Sequence, residues 1–150
     1  MVKQKTSPQV RPRLSAYHVL PDSPLMQQNF LVALASLEAR ADHPLAADVM
    51  RVAKINSIAP RSVEGFQQFE HRGIGGLVQL PHEQRPRAIV IGSREFVEEC
   101  GLQMPDILEV TYRKWAAEKN AVVAIGGWDG WVRGVIKWEN IPQTKSRQDN

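Results

Sequence analysis

Two hydrophobic periods follow one another along this chain, and the switch between them sets the order of its elements. From Pro24 to Ala53, apolar residues recur at the three- and four-residue spacing of a helix face. From Val63 they alternate, as on a strand. The helical stretch breaks near Asp42. Ser23 is placed to cap a first helix that starts at Pro24 and runs to about Ala39, and Asp42 to cap a second with Pro44 in its first turn. Ahead of them, Pro12 to Leu20 reads as a strand with Leu14, Ala16 and His18 on one face. Behind them come strands at Phe66–Glu70, Gly76–Leu80 and Arg87–Ile91. Then follow a short helix from Arg94 to Cys100 and another from Pro105 to about Lys119. Strands Ala121–Ile125 and Trp131–Lys137 close the order as a hairpin around Gly126–Gly130. Strand, two helices, three strands, two helices, two strands predicts an α+β domain: an antiparallel six-stranded sheet flanked by two helical pairs. Its expected extent is 12–138, with residues 1–11 a flexible lead-in and 139–150 a disordered tail.

At 150 residues, the chain is long enough for one cored domain and too short for two ordinary ones. The most apolar stretch, Phe30 to Leu37, falls far short of the roughly 20 residues a membrane helix needs. No apolar signal segment opens the chain, so the expectation is a cytoplasmic protein with no membrane insertion. The single cysteine, Cys100, excludes a disulfide framework or a Cys-based zinc site within one chain. The net charge of +3 is spread rather than striped, which argues against nucleic acid and suits a small anion.

Three segments carry candidate chemistry. Glu38 and Asp42-His43-Pro44 meet across a helix–helix junction. There an imidazole can stack on a base and a carboxylate can accept from an amine. Gly73-Ile74-Gly75-Gly76 lies between two strands, where glycine allows close approach of backbone to a ligand. No helix follows it and no Gly-Lys-Ser/Thr completes it, so it is neither a dinucleotide fingerprint nor a phosphate loop. Ile91-Gly92-Ser93-Arg94 precedes the short helix, with Ser93 as its cap. The four histidines, His18, His43, His71 and His82, show no metal-ligand spacing, and no nucleophile motif is present. The four tryptophans read as core and hairpin residues.

In this order the segments resemble the nucleotide-binding domain of heavy-metal P-type ATPases, the copper and zinc/cadmium exporters. Members of that family carry a Glu, then Ser-Glu-His-Pro-Leu, matched here by Glu38 and by Ala41-Asp42-His43-Pro44-Leu45. Their Gly-x-Gly is matched by Gly73-Ile74-Gly75. Their Ile-Gly-Asn-Arg resembles Ile91-Gly92-Ser93-Arg94, and the closing hairpin is similar too. The resemblance covers about residues 10–138. It implies ATP as ligand, with His43 orienting adenine, Glu38 contacting it, and Gly73 and Gly75 letting it lie against backbone. Asp42 falls inside the matching segment, and Ser93 stands where the family has Asn, as a weaker polar contact. A base-stacking His43 should be partly exposed and add less than about 1 kcal/mol to folding.

The departures bear on function. The family's Asp-Lys-Thr-Gly-Thr, whose Asp is phosphorylated, is replaced by Gln4-Lys5-Thr6-Ser7-Pro8. An amide cannot form an acyl-phosphate. The resemblance also runs out near Glu139, before the family's phosphorylation domain. The sequence therefore predicts no enzyme on its own, a pseudoenzyme-like monomer that binds ATP without hydrolysis or any need for magnesium. Its implied partner is a metal-transporting P-type ATPase that it regulates. Two alternatives stand beside this reading: an interaction module with a vestigial nucleotide site, and a fragment excised from a full ATPase.

Overall fold

The computed structural model describes residues 10–142. The elements follow the expected order: β1 (Val10–Val19), α1 (Pro24–Glu38), α2 (Leu45–Ile55), β2 (Val63–Phe69), β3 (Gly73–Val78), β4 (Arg87–Gly92), α3 (Arg94–Glu99), α4 (Asp106–Ala116), β5 (Ala121–Trp128) and β6 (Trp131–Pro142). One antiparallel sheet of order β1-β6-β5-β4-β3-β2 holds all six strands. The β1–β6 pairing runs past both expected borders, Val10 opposite Pro142 and Arg11 opposite Ile141. The remaining residues of the expected lead-in and tail lie outside the described residues, and so does Gln4.

Strand alternation divides the core between the two faces. On β6, Ile136 and Trp138 join the apolar cluster under α1 and α2, while Val135 joins the one under α3 and α4. Helix α1 starts as its sequence dictates. Pro24 occupies the first turn, and the Ser23 hydroxyl accepts from the Met26 N–H at 3.1 Å. From Asn29 to Glu38 it is buried on every side, held between the sheet and α2. Helix α2 is anchored differently. The Asp48 carboxylate accepts from the Leu14 N–H at 2.6 Å and from Arg51 Nε at 2.7 Å. Arg51, then the Leu14 N–H, holds the Asp48 pKa below the usual carboxylate range against the opposing cost of burial.

Four local expectations are corrected. A register shift between Leu14 and Ala16 breaks the alternation of β1. Leu14, Tyr17 and Val19 therefore share the α1/α2 face, while the His18 Nδ1 contacts Thr111 Oγ1 of α4 at 2.6 Å. Asp42 does not cap α2: Pro44 holds the cap position before Leu45 with no side-chain cap, and the Asp42 N–H donates to Gln68 Oε1 at 3.1 Å. Gly126 and Gly127 belong to β5, and the hairpin turns on Asp129-Gly130 alone. Their φ values of 53° and 83° are those of a type I′ turn. Helix α4 ends at Ala116, short of Lys119.

One glycine shows how tightly α1 sits on the sheet. A Cβ on Gly134 of β6 would fall 2.6 Å from Phe30 Cζ, with two more ring atoms within 2.9 Å. Phe30 is 1% exposed, so the ring has nowhere to go. Gly134→Ala should destabilise the protein by about 1–3 kcal/mol through overpacking. Phe30→Leu in the same chain should recover part of that, since the two sites share one contact. Urea denaturation of both variants checks this, and an unchanged midpoint for Gly134→Ala would contradict it.

Candidate functional site

Helix α1 ends inside the molecule. Its last residue, Glu38, is only 3% exposed, and a buried carboxylate demands a partner. The short α1–α2 connection supplies one. His43 Nε2 lies 3.0 Å from Glu38 Oε1, with the imidazole side chain 27% exposed. The two groups form a close ion pair, and His43 Nδ1 is left without a partner among the described residues. The Glu38 hydrogen bond and charge raise the His43 pKa above the ordinary 6.5, against a smaller opposing effect of burial.

The pair stands at a cleft of about 500 Å³. Its floor is the α1/α2 face of the sheet: Ile74 of β3, Ile91 of β4, Ala124 of β5 and Trp138 of β6. One wall is Glu38, Asp42, His43, Pro44 and Leu45, and the opposite lip is Phe69 to Gly73 with Gly92 and Ser93. Gln68 ties wall to lip by accepting from the Asp42 N–H. The cleft is therefore mostly apolar, with a few convergent polar groups, as small-molecule sites generally are.

The structure brings Glu38, Asp42, His43, Gly73 and Ser93 to this cleft, and leaves Gly75 out of its lining. Gly73 and Gly75 lie within β3 rather than in a loop, and neither has positive φ; His71, at φ 63°, makes the turn before them. A Cβ on Gly73 would meet Phe96 Cδ2 at 2.4 Å and the Ile91 carbonyl at 2.5 Å. That need for glycine comes from packing on the α3 side, while the backbone of Gly73 borders the cleft. Ser93 caps α3 by accepting from the Phe96 N–H at 3.2 Å, which leaves its hydroxyl hydrogen free to donate. Arg94, the last residue of its segment, turns away and pairs with Glu109 and Glu98.

The cleft also has members that sequence reasoning assigned elsewhere. Trp138, read as a core residue, is 1% exposed and lines the cleft, and its indole Nε1–H has no partner among the described residues. Only the pairing of β6 with β5, which sets Trp138 opposite Val122, reveals this. His71 and His82 fall at opposite ends of β3, at its two turns. Among the described residues, no group of three or more His, Cys, Asp and Glu is placed to hold a metal ion, and no helix is long and apolar enough to cross a membrane.

No family model matches the chain. It is 28% identical over 122 residues to the copper-exporting P-type ATPase B of Archaeoglobus fulgidus, a match that covers 81% of this chain and 16% of that protein. The crystal structure of the N-domain of HMA6, a copper-transporting P-type ATPase, superposes with a TM-score of 0.64 at 18% identity, over 86% of this chain and 99% of that one. The catalytic domain of the CPx-ATPase CopB-B, solved to describe conformational changes upon nucleotide binding, does so at 0.53 and 12% identity, over 93% and 44%. The chain therefore has the fold of the N-domain of copper-transporting P-type ATPases and resembles heavy-metal P-type ATPases in sequence. It spans about a sixth of the exporter's length.

The Glu38–His43 pair makes stability depend on pH with a definite sign. A raised His43 pKa means that its contribution is fully present below 6.5 and fades as pH rises through the folded value. Wild type should therefore lose stability relative to Glu38→Gln as pH goes from about 6 to about 8.5. His43→Ala strands the buried carboxylate and should cost about 1–3 kcal/mol, above the less than about 1 kcal/mol expected from sequence for a partly exposed stacking residue. Urea titrations at several pH values read both effects, and a pH-independent gap between wild type and Glu38→Gln would refute the first.

Proposed function

We propose that this chain binds an adenine nucleotide in the Glu38–His43 cleft and does not hydrolyse it. The observation that carries the reading is the coincidence, in one mostly apolar cleft, of a buried carboxylate paired with a partly exposed imidazole whose Nδ1 has no partner among the described residues. A flat heteroaromatic base fits such a site. Its ring covers the apolar floor, its exocyclic amine donates to Glu38, and His43 stacks on its face. Nucleotide binding by a solved structure of the same fold, and the sequence segments around Glu38 and His43, support the same ligand.

The phosphates receive far less. Arg72 is the one Lys or Arg among the residues lining the cleft, and its guanidinium is taken up by Glu99 and by the Phe96 ring. Most of the binding energy then comes from the base. Affinity should be weak, with Kd about 0.1 to several mM, or about −4 to −5.5 kcal/mol, and magnesium should change it little. An NMR titration checks this: amides near His43 and Gly73 should shift by about 10 mM ATP, and a flat titration would sink the reading. His43→Ala should weaken ATP about ten-fold or more, the usual value of a base on an aromatic ring. Glu38→Gln should also weaken it, because an amide can present a donor to the amine. Unchanged affinity in both variants would favour the second reading, an interaction module that keeps the fold around a vestigial site.

Turnover is a separate proposal, motivated by Gln4 at the position of the family's phosphorylated Asp. The protein should neither release phosphate from ATP nor become labelled by its γ-phosphate. Label above background in the isolated protein would overturn this. Regulation of a metal-transporting P-type ATPase in the cytoplasm, with the chain acting as a monomer, is the biological role that we propose to accompany such binding.

A further inference from the structure

A second cleft, of about 520 Å³, opens at the other end of α1 and β3 and shares no lining residue with the first. It lies between Gln28 of α1, the segment from Ser57 to Arg61 that leads from α2 to β2, and the turn from Gln79 to Glu83 that joins β3 to β4. Arg61 is the one Lys or Arg that lines it. Its backbone N–H donates to the fully buried Ser36 hydroxyl at 2.8 Å, and its Nη1 donates to the Gln79 carbonyl at 3.0 Å. These bonds hold the residue at its main chain and at its tip. They leave Nε and Nη2, one whole edge of the guanidinium, with no carboxylate partner among the described residues. Elsewhere in this molecule that same edge is satisfied: Arg51 gives Nε and Nη2 to Asp48, and Arg87 gives them to Glu83.

We propose that this cleft takes a carboxylate side chain from an acidic peptide segment of a partner protein, with Arg61 as its anchor. The Nε–Nη2 fork matches the two oxygens of a carboxylate. The charge balance of the cleft selects a monoanion. Glu83 also lines it, with its own carboxylate given to Arg87, so a phosphate dianion would meet Glu83 with no second cation on the lining. The rest of the polar lining is uncharged and suits peptide groups. Gln79 Nε2 donates to the Glu83 carbonyl at 2.6 Å, which leaves its Oε1 to accept a peptide N–H, and Gln28 and Ser57 offer an amide and a hydroxyl. Arg85, exposed in the same β3–β4 connection, adds a positive charge outside the cleft. It steers a segment that carries more than one acid. The proposal is independent of the adenine reading.

The test is an NMR titration of the full chain with a capped hexapeptide of alternating Glu and Ser, the same peptide with Gln for Glu, acetate, and inorganic phosphate. The Glu peptide should shift the amides of Arg61 and of Gln79 to Glu83 by ~10 mM, and leave those near His43 and Gly73 still. The Gln peptide should bind about ten-fold or more weakly. Arg61→Lys keeps the charge and loses the fork, and should weaken the Glu peptide about three-fold or more. The bond from position 61 to Ser36 is made by backbone and survives the substitution, and the peptide comparison on wild type needs no variant at all. No shift with the Glu peptide, equal binding of the Gln peptide, or a folded Arg61→Lys that binds as wild type does would overturn the proposal. Acetate or phosphate binding at these amides as tightly as the Glu peptide would also overturn it, in favour of a small-anion site.

Discussion

Burial of α1 on all sides is the constraint from which the cleft follows. A helix apolar from Phe30 to Ala35 has to be covered by the sheet on one side and by α2 on the other. That sandwich carries the C-terminal end of the helix, Glu38, into a place where a carboxylate is expensive. The chain answers with His43, delivered by the short connection to α2, whose raised pKa reports how strongly the carboxylate wants a cation. Gly134 belongs to the same constraint, because the sheet can accept Phe30 only where β6 has no side chain. Core packing and the polar corner of the cleft are therefore one construction, and a change at either should be felt at the other.

The two faces of the sheet divide their tasks. On the far side Arg94 bridges Glu98 of α3 and Glu109 of α4, and sits over the Tyr112 ring. Glu109 is held down to about 2, by Arg94 first and Arg113 after it. This network locks α3 against α4 and thereby fixes Phe96, whose ring rests under Gly73. The lip of the cleft is thus held from behind. Arg94 falls in the same sequence segment as Ser93 because β4 and the helix α3 that supports the lip are consecutive in the chain.

Element order, sheet class and the Glu38–His43 junction were legible in sequence, because hydrophobic period and capping residues act locally. The physical role of other positions was not. Asp42 looks like an N-cap, but its backbone N–H is engaged by Gln68, which is 26 residues away in sequence, and no local signal reports that. Ala16 and His18 seemed to share a face with Leu14 until a register shift in β1, set by pairing with β6, separated them. Gly75 matches a motif, yet β3 places it outside the cleft. Trp138 reads as core and is core; that it also lines the cleft follows only from the pairing of β5 and β6. In each case the missing information is a long-range hydrogen bond or a strand register.

The distribution of polar groups also bears on which function this fold retains. If the cleft served only to fill space, an apolar residue at position 38 would do so at lower cost, since replacing a buried charge pair by packed apolar groups is often neutral or stabilising. Instead it keeps a buried carboxylate paired with an imidazole, and among the described residues His43 Nδ1 and the Trp138 indole Nε1–H have no partner. Unpaired buried polar groups oppose folding, and they are tolerated where a ligand completes them. The mouth of the cleft shows the opposite pattern. Ser93 accepts in capping α3 and keeps only its hydroxyl hydrogen to donate, and Arg72 is paired with Glu99. Among the described residues, an imidazole nitrogen is left open beside Glu38, while the one cation of the lip is paired. That asymmetry supports the proposed reading, in which the base and not the phosphates supplies most of the recognition.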